Sequence, residues 1–332
     1  LAPGRELSHL ESLVPAHGFH DAIRAQERRE LALSTEALSI MPPAARAPVA
    51  RVVPTSGEFV VLNTQSGAGS ACSDPIFVGG VVEAVSETAV VVADVSNPPG
   101  GFSTQDFEHF AATFDTLVTP VIDEHFGSPS DLDGNGRTIV FFTREVNAVG
   151  SGELGAITTG FFFSRDLFPV DGAGTPLNSC PSSNEAELLY LLVPDPTGEV
   201  GAPISRQAAT ELAIATMAHE QQHLVNAANR LFGPGGPFPF EETWLNEGLS
   251  HIAEELAFYR ASGLGPGLDL GSEHLGDQTL GSFNTFQIAN YRRLRHFYYE
   301  PQGNSPFGKD SRATRGAAWS FLRYAADRAG KG

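Results

Sequence analysis

Apolar positions along this chain change their period near residue 200. From about 57 to 200 they come as short β-branched or aromatic runs: "GEFVVLNT", "VGGVVEAVS", "TAVVVADV", "RTIVFFTREV", "AITTGFFFS" and "AELLYLLVP". Runs of this length, bounded by Gly, Pro, Asn and Ser, predict strands. One stretch among them is helical. In "STQDFEHFAATFDTLVTPVIDEHFG", Phe107, Phe110, Phe114, Leu117, Val118 and Val121 share a face, Ser103 or Thr104 can cap the start, and Gly127 can end it. Those phenylalanines read as core. From about 205 the period is helical throughout. "SRQAATELAIATMAHEQQHLVNAANRLF" runs from a Ser205 cap to the breaker "GPGGPFP", and "TWLNEGLSHIAEELAFYRASG" starts at a Thr243 cap. Later helices cover "NTFQIANYRRLRHFYY" and "RATRGAAWSFLRYAADRAG". The first 45 residues read as a helical arm interrupted at Pro15 and ending near "MPPAARAP", either a packed extension or the remnant of a propeptide. The pattern predicts an α+β chain: an arm over 1–55, an α/β part over 56–230, and a helical part over 231–332.

Composition narrows the partners. The chain has 332 residues, 41% of them apolar, enough for a substantial core. No run of about 18 apolar residues predicts a membrane span. The net charge of −18 disfavours nucleic acid or an anionic membrane surface, which demand a basic face. Lys309 and Lys331 are the only lysines, so Arg carries nearly all the positive charge, a trait read as composition bias. "LAPGRELSHLESLV" lacks a basic run leading into an apolar one and does not read as a signal peptide, which leaves a processed start open. The helix ending in "KG" leaves a longer natural C-terminus open as well. Cys72 and Cys180 lie in loop-like stretches with no metal-ligand spacing. A disulfide between them would suit an exported chain; two unrelated thiols are the alternative.

The chemistry sits in "MAHEQQHLVN". His219 and His223 are four apart and project from one helix face, a spacing that lets two imidazoles bind one tetrahedral zinc. Glu220 lies about 100° further round, where it can reach a zinc-bound water without ligating. A solvated helix face is the competing reading. A catalytic zinc needs a third protein ligand and an open position. A histidine in the metzincin pattern is ruled out, because Asn226 and Asn229 occupy the Gly and His positions. Glu247, with 23 residues between it and His223, becomes the candidate on an antiparallel returning helix.

The pair "HEQQH" and "WLNEGLSHIAEE" resembles the gluzincin metallopeptidases, in particular the hyicolysin-type secreted neutral metallopeptidases. "FGSPSDLDGNGRTIVFFTREVN", "GFFFSRDLF" and "RGAAWSFLRYAADR" are similar to stretches of that family, so the resemblance spans about 55 to 330. It implies a zincin (thermolysin-like) fold, with a mixed-sheet upper subdomain ending in the motif helix and a helical lower subdomain carrying the third ligand. It implies zinc on His219, His223 and Glu247, Glu220 activating water, and a secreted endopeptidase acting on protein or peptide. The aminopeptidase N type shares a "WLNEG"-like segment but needs Met-Glu-Asn, and neither Met41 nor Met217 is followed by Glu-Asn. A zincin-fold binding or adhesion module, or a zinc hydrolase of a non-peptide amide or ester, remain the other readings.

Several supporting positions depart from the family pattern. Four residues past Glu247, where thermolysin-like enzymes carry Asp, stands His251, with Ser250 beside it and Glu254 one turn on. These are candidates to orient the ligands, His251 bonding Glu247 or another ligand, or packing in the wall. At the family's Tyr-Gly-Ala tyrosine stands Arg315. An oxyanion donor is still required. Arg315 is one candidate; Tyr299, Tyr291, His296 and Tyr298 are the others, each with core or interface packing as the competing reading. "SDLDGNGRT" places Asp131, Asp133 and Asn135 at positions 1, 3 and 5 of a calcium-type loop with Gly136 at 6. Phe142 at position 12 excludes an EF-hand, and an Asx/Gly turn launching a strand is the alternative. Cleavage preference and oligomeric state are not written in the sequence.

Overall fold

The computed structural model describes residues 14–15, 17–38, 52–64, 72, 75–149, 156–171, 177–268, 271–274 and 276–330, with side chains of the first helix described over 19–29. Residues 1–13 and 39–51 of the expected arm lie outside the described residues. Pro15 does precede the first helix, in a two-residue parallel pairing of Val14–Pro15 with Ala156–Ile157. Helix α1 then spans His17–Leu38.

The fold is mixed α+β. Six strands form one sheet: β1 Phe59–Thr64, β2 Ile76–Val85, β3 Ala89–Asp94, β4 Thr138–Phe142, β5 Gly160–Phe162 and β6 Leu188–Leu191. Their order is β1-β2-β3-β4-β6-β5. The β3–β4 and β4–β6 pairs are parallel and the rest antiparallel. The run "AITTGFFFS", expected as one strand, is broken: only Ala156–Ile157 and β5 are extended pairs. The central strands bury both faces, as their near-continuous apolar runs require. Phe142, Leu189 and Leu191 enter one core cluster, while Phe141, Leu188 and Tyr190 enter the other.

Helix α2 runs over 104–125 with a π-turn at Phe114–Val118. Ser103 and Asp106 close a capping box at its start, which settles the cap on Ser103. Phe107, Phe110, Phe114, Val118 and Val121 are buried, as the period predicts, and Leu117 is partly so. A short helix α3, Arg144–Val149, follows β4 where a longer strand was expected. Helix α4, Arg206–Phe232, starts on the Ser205 cap. Helix α5, Thr243–Ser262, returns antiparallel against it and ends at Gly263, whose φ of 73° is the left-handed conformation a glycine terminator supplies. The expected Thr243 cap is corrected here: Glu242 occupies the cap position without a side-chain bond, and the Thr243 hydroxyl accepts from Arg28 of α1 instead. Helix α6 covers 277–299, again with a π-turn, and helix α7 is Arg312–Arg328. No described helix is long and apolar enough to cross a membrane.

Cys72 and Cys180 are joined in a disulfide across a sequence separation of 108. Such a bond fits an oxidising compartment.

Asp115 ties the β2–β3 turn to α2. It accepts from the Ser86 and Thr88 hydroxyls and from the Glu87 and Thr88 amides at 2.6–3.0 Å. Partial burial raises its pKa, but these donors outweigh burial and the net shift is downward. A depressed carboxylate stabilises the fold above its unfolded pKa, and that stability is lost as pH falls through the folded value. Asp115→Asn should cost about 1 kcal/mol at pH 7. The difference from wild type in denaturant midpoint should shrink below pH ~4; a difference independent of pH would contradict the assignment.

Candidate metal centre

The α4–α5 pair carries the site. His219 and His223 stack one turn apart on α4, buried, with Nε2 atoms 3.2 Å apart. Glu247, in the second turn of α5, points between them: its Oε2 is 3.4 Å from His219 Nε2 and its Oε1 is 3.7 Å from His223 Nε2. All three potential ligand atoms lie within 4.8 Å of one another.

The surrounding bonds fix which nitrogens face inward. His219 Nδ1 is 2.8 Å from Glu254 Oε1, and His223 Nδ1 meets Asn246 Oδ1, with Ser250 Oγ at 3.0 Å. Acceptors at Nδ1 place the proton there and leave the Nε2 lone pairs turned toward Glu247, with Ser250 Oγ also 3.2 Å from His223 Nε2. Two such lone pairs at 3.2 Å, beside a carboxylate, require positive charge among them. The bare protein supplies a proton: burial lowers the His219 pKa, but Glu247 and Glu254 outweigh it and push it up to about 9. His223 is driven well below its ordinary value, by burial first and Arg24 next. Neither Glu247 oxygen has a hydrogen-bond partner. Arg315 Nη1 stands 2.8 Å from Oε2, but off the line a hydrogen bond needs. A divalent cation answers all three features, and a His-His-Glu donor set suits zinc.

Glu220 is also buried. Its Oε2 accepts the Phe162 amide of β5 at 2.8 Å. Burial raises its pKa, with His219 and Arg24 opposing. A buried carboxylate moved upward in this way holds a proton more readily than a free one.

The other expected positions separate. Glu254 holds His219 directly. His251 bonds neither Glu247 nor a ligand histidine; its Nδ1 lies 3.1 Å from Glu254 Oε1. Burial and Arg293 push His251 down to about 3, so the ring is neutral, and its Nε2 has no partner. Ser250 donates to Gln222 at 2.6 Å. Arg315 is fixed by Asp310 through Nε and Nη2 at 2.7 and 2.6 Å and lines the cleft above the site. Tyr299 does not line it: at 71% exposure it sits at the end of α6 beneath Arg295. Tyr298 is exposed and Tyr291 packs edge-on against Trp319, whereas His296 does line the cleft. The cleft encloses about 280 Å³.

Asn246, Arg293, Arg24 and His20 were missed. Arg293 Nη1 approaches Glu254 Oε2 at 3.4 Å. Arg24 Nε lies 3.8 Å from Glu247 Oε1, and His20 lines the cleft. Asn246 immediately precedes Glu247, a hint the sequence did offer. The calcium-type loop also gains a member: Asp131 and Asp133 converge with Glu187, and Asn135 stays bonded to Asp133. Asp131 accepts the Gly136 amide and Asp133 the Asn135 amide, the turn pattern of the alternative reading.

A paired-helix centre with two histidines, a glutamate and an adjacent buried carboxylate is the arrangement of metal-dependent hydrolases. No family model matches the chain. It is similar to the neutral metalloprotease ShpI of Staphylococcus hyicus, with 29% identity over 143 residues. That match covers 43% of this chain and 29% of the relative. It supports a relation to metallopeptidases.

Glu254→Gln should lower metal affinity about 10- to 100-fold, because the partner of a ligand imidazole sets its orientation and basicity. Competition against a calibrated chelator measures this; unchanged affinity would show that Glu254 does not support His219.

Proposed function

We propose that the chain is a secreted zinc endopeptidase of the gluzincin type, with a zincin fold, cleaving protein or peptide. The observation that carries this is the convergence of His219, His223 and Glu247 on one point, with Glu220 alongside. Those three residues would hold the zinc. When bound, zinc supplies Lewis acidity, acidifying water and polarising a carbonyl.

The chain's own groups then divide the work. Glu254 and Asn246 hold the two imidazoles with their Nε2 atoms inward. Glu220, fixed through Oε2 by the Phe162 amide, accepts the proton of the attacking water and returns it to the leaving amine. Arg315, oriented by Asp310, is the cleft cation we assign to the carbonyl oxygen; Tyr299 lies outside the cleft. The disulfide suits an extracellular setting.

The test is casein turnover with and without a zinc chelator, at measured zinc content. Glu220→Gln should keep one zinc per chain and lose about 10²–10⁴ in kcat. In the same assay Tyr299→Phe should leave kcat unchanged and Arg315→Ala should lower it. Zinc-loaded protein that cleaves no peptide would favour a binding module, or a hydrolase of another amide or ester.

We also assign a calcium ion to the loop at Asp131 and Asp133, favoured by the approach of Glu187. A calcium chelator should then lower the melting temperature of protein whose zinc is held saturated; no shift removes the assignment.

A further inference from the structure

Helices α6 and α7 line one wall of the cleft, and they line it with arginine. Arg292 and Arg293 come from α6, Arg312 and Arg315 from α7. The two helices meet where Gly316 lies against the backbone of Arg293 and Leu294, which brings the two pairs together. The whole chain has 21 basic residues against 39 acidic ones, so four arginines on one wall stand out from its composition.

Local physics disfavours this placement. Arg312 and Arg315 stand three apart in the first turns of α7, where a helix N-terminus repels cations and like charges at this spacing repel each other. A local rule broken beside a reaction centre points to function. The acidic residues of the cleft are committed elsewhere. Asp310 gives both its oxygens to Arg315. Glu254 is shared between Arg293 and His219, and Glu220 belongs to the metal centre. Glu211, the third carboxylate of the lining, is exposed on α4 and accepts from Gln207 at 3.1 Å.

The crowding of like charge is felt by its members. Burial first and Arg293 next hold the Arg312 pKa below its ordinary value; burial, then Arg312 and Arg295, do the same to His296, which also lines the cleft. An anion placed among such groups relieves the repulsion. Ile157, Leu212, Ile288 and Ala289 share the lining, and apolar surroundings strengthen a charge pair formed there. Arg312 lies one turn before Arg315, about 4.5 Å along the helix axis. Arg315 is the group assigned to the scissile carbonyl, so the side chain of a residue next to that carbonyl comes within reach of Arg312.

Resting on the endopeptidase reading, we propose that the wall formed by Arg292 and Arg312 receives a side-chain carboxylate, so that the enzyme selects peptides with Asp or Glu beside the cleaved bond.

The test uses end-capped quenched peptides that differ only in carrying Glu, Gln or Lys at one position, with the cut mapped by mass spectrometry and zinc content measured for every variant. Wild type should cleave the Glu peptide with a kcat/KM about tenfold above the Gln peptide, and the Lys peptide least well. Added salt should shrink the Glu-to-Gln ratio. Arg312→Gln and Arg292→Gln should each bring the ratio toward one, and Arg312→Glu should put Lys ahead of Glu. If one variant does not fold, the other carries the test. A binding arm needs no turnover: zinc-loaded Glu220→Gln should bind a fluorescein-labelled Glu peptide more tightly than its Gln counterpart, and adding Arg312→Gln should abolish the difference. Hydrolysis with equal rates on Glu and Gln overturns the proposal and leaves the endopeptidase reading standing. So does a Glu preference that both arginine variants retain, or a preference that follows a free C-terminus in uncapped peptides. Selective binding of the Glu peptide with no hydrolysis by wild type upholds the wall and sinks the endopeptidase reading. Neither selective binding nor hydrolysis overturns both.

Discussion

Glu247 carries its carboxylate into a wholly buried position where neither oxygen accepts a hydrogen bond. Removing a carboxylate from water is costly unless positive charge surrounds it. Around Glu247 stand Arg315 at 2.8 Å, Arg24 at 3.8 Å and the two imidazoles at 3.4 and 3.7 Å. Burial opposes its ionisation, but Arg315 and the histidines overcome that and hold its pKa well below the ordinary value. The elements that meet at the centre are therefore constrained together. Helix α4 brings the imidazoles, α5 the carboxylate, α7 one guanidinium and α1 the other.

Close packing makes that convergence possible. Gly160 of β5 lies so near α4 that a Cβ there would fall 2.6 Å from Thr216 Cγ2 and 2.6 Å from the Tyr190 carbonyl oxygen. Gly316 brings α7 against α6: a Cβ would meet the Leu294 nitrogen at 2.2 Å. Only glycine permits these approaches. The second sets Arg315 on α7 and Arg293 on α6 around the same centre. Both arginines hold more than one partner, Arg315 with Asp310 and Glu247, Arg293 with Asn290 and Glu254. A forked guanidinium does this and an ammonium does less well. The Arg-for-Lys bias of the chain, read from the sequence as composition bias, has a use here.

Legibility followed the range of each interaction. The capping box at Ser103 and the phenylalanine face of α2 are local and could be read directly. So could the stacking of His219 and His223, since helix geometry fixes it. Glu247 was reachable because the Gly/Pro run 233–237 forces a return. What failed depended on distant partners. Thr243 looked like a cap, but Arg28 takes its hydroxyl from another helix. "AITTGFFFS" had strand composition throughout, yet only Gly160–Phe162 finds a strand beside it in the main sheet. Asn135 keeps the loop spacing and its bond to Asp133, while Glu187, the carboxylate that joins them, arrives from the residue before β6. Tyr299 was chemically apt, but the end of α6 carries it away from the cleft. No spacing rule announces Arg24 at the centre; beyond Glu27, its partners lie 138 and 223 residues further on.

Phe162 shows how these pieces are coupled. Its amide fixes Glu220, and its carbonyl accepts Arg24. Both groups point to the side of β5 away from β6, so one residue joins Glu220 to α1. Losing the Arg24 contact would leave a buried guanidinium with Glu27 as its close carboxylate and Glu247 at 3.8 Å. Losing the amide would leave Glu220 buried without that donor, which raises its proton affinity further. The seat of α1 and the setting of Glu220 thus depend on a single backbone position, and no separate element is needed to link them.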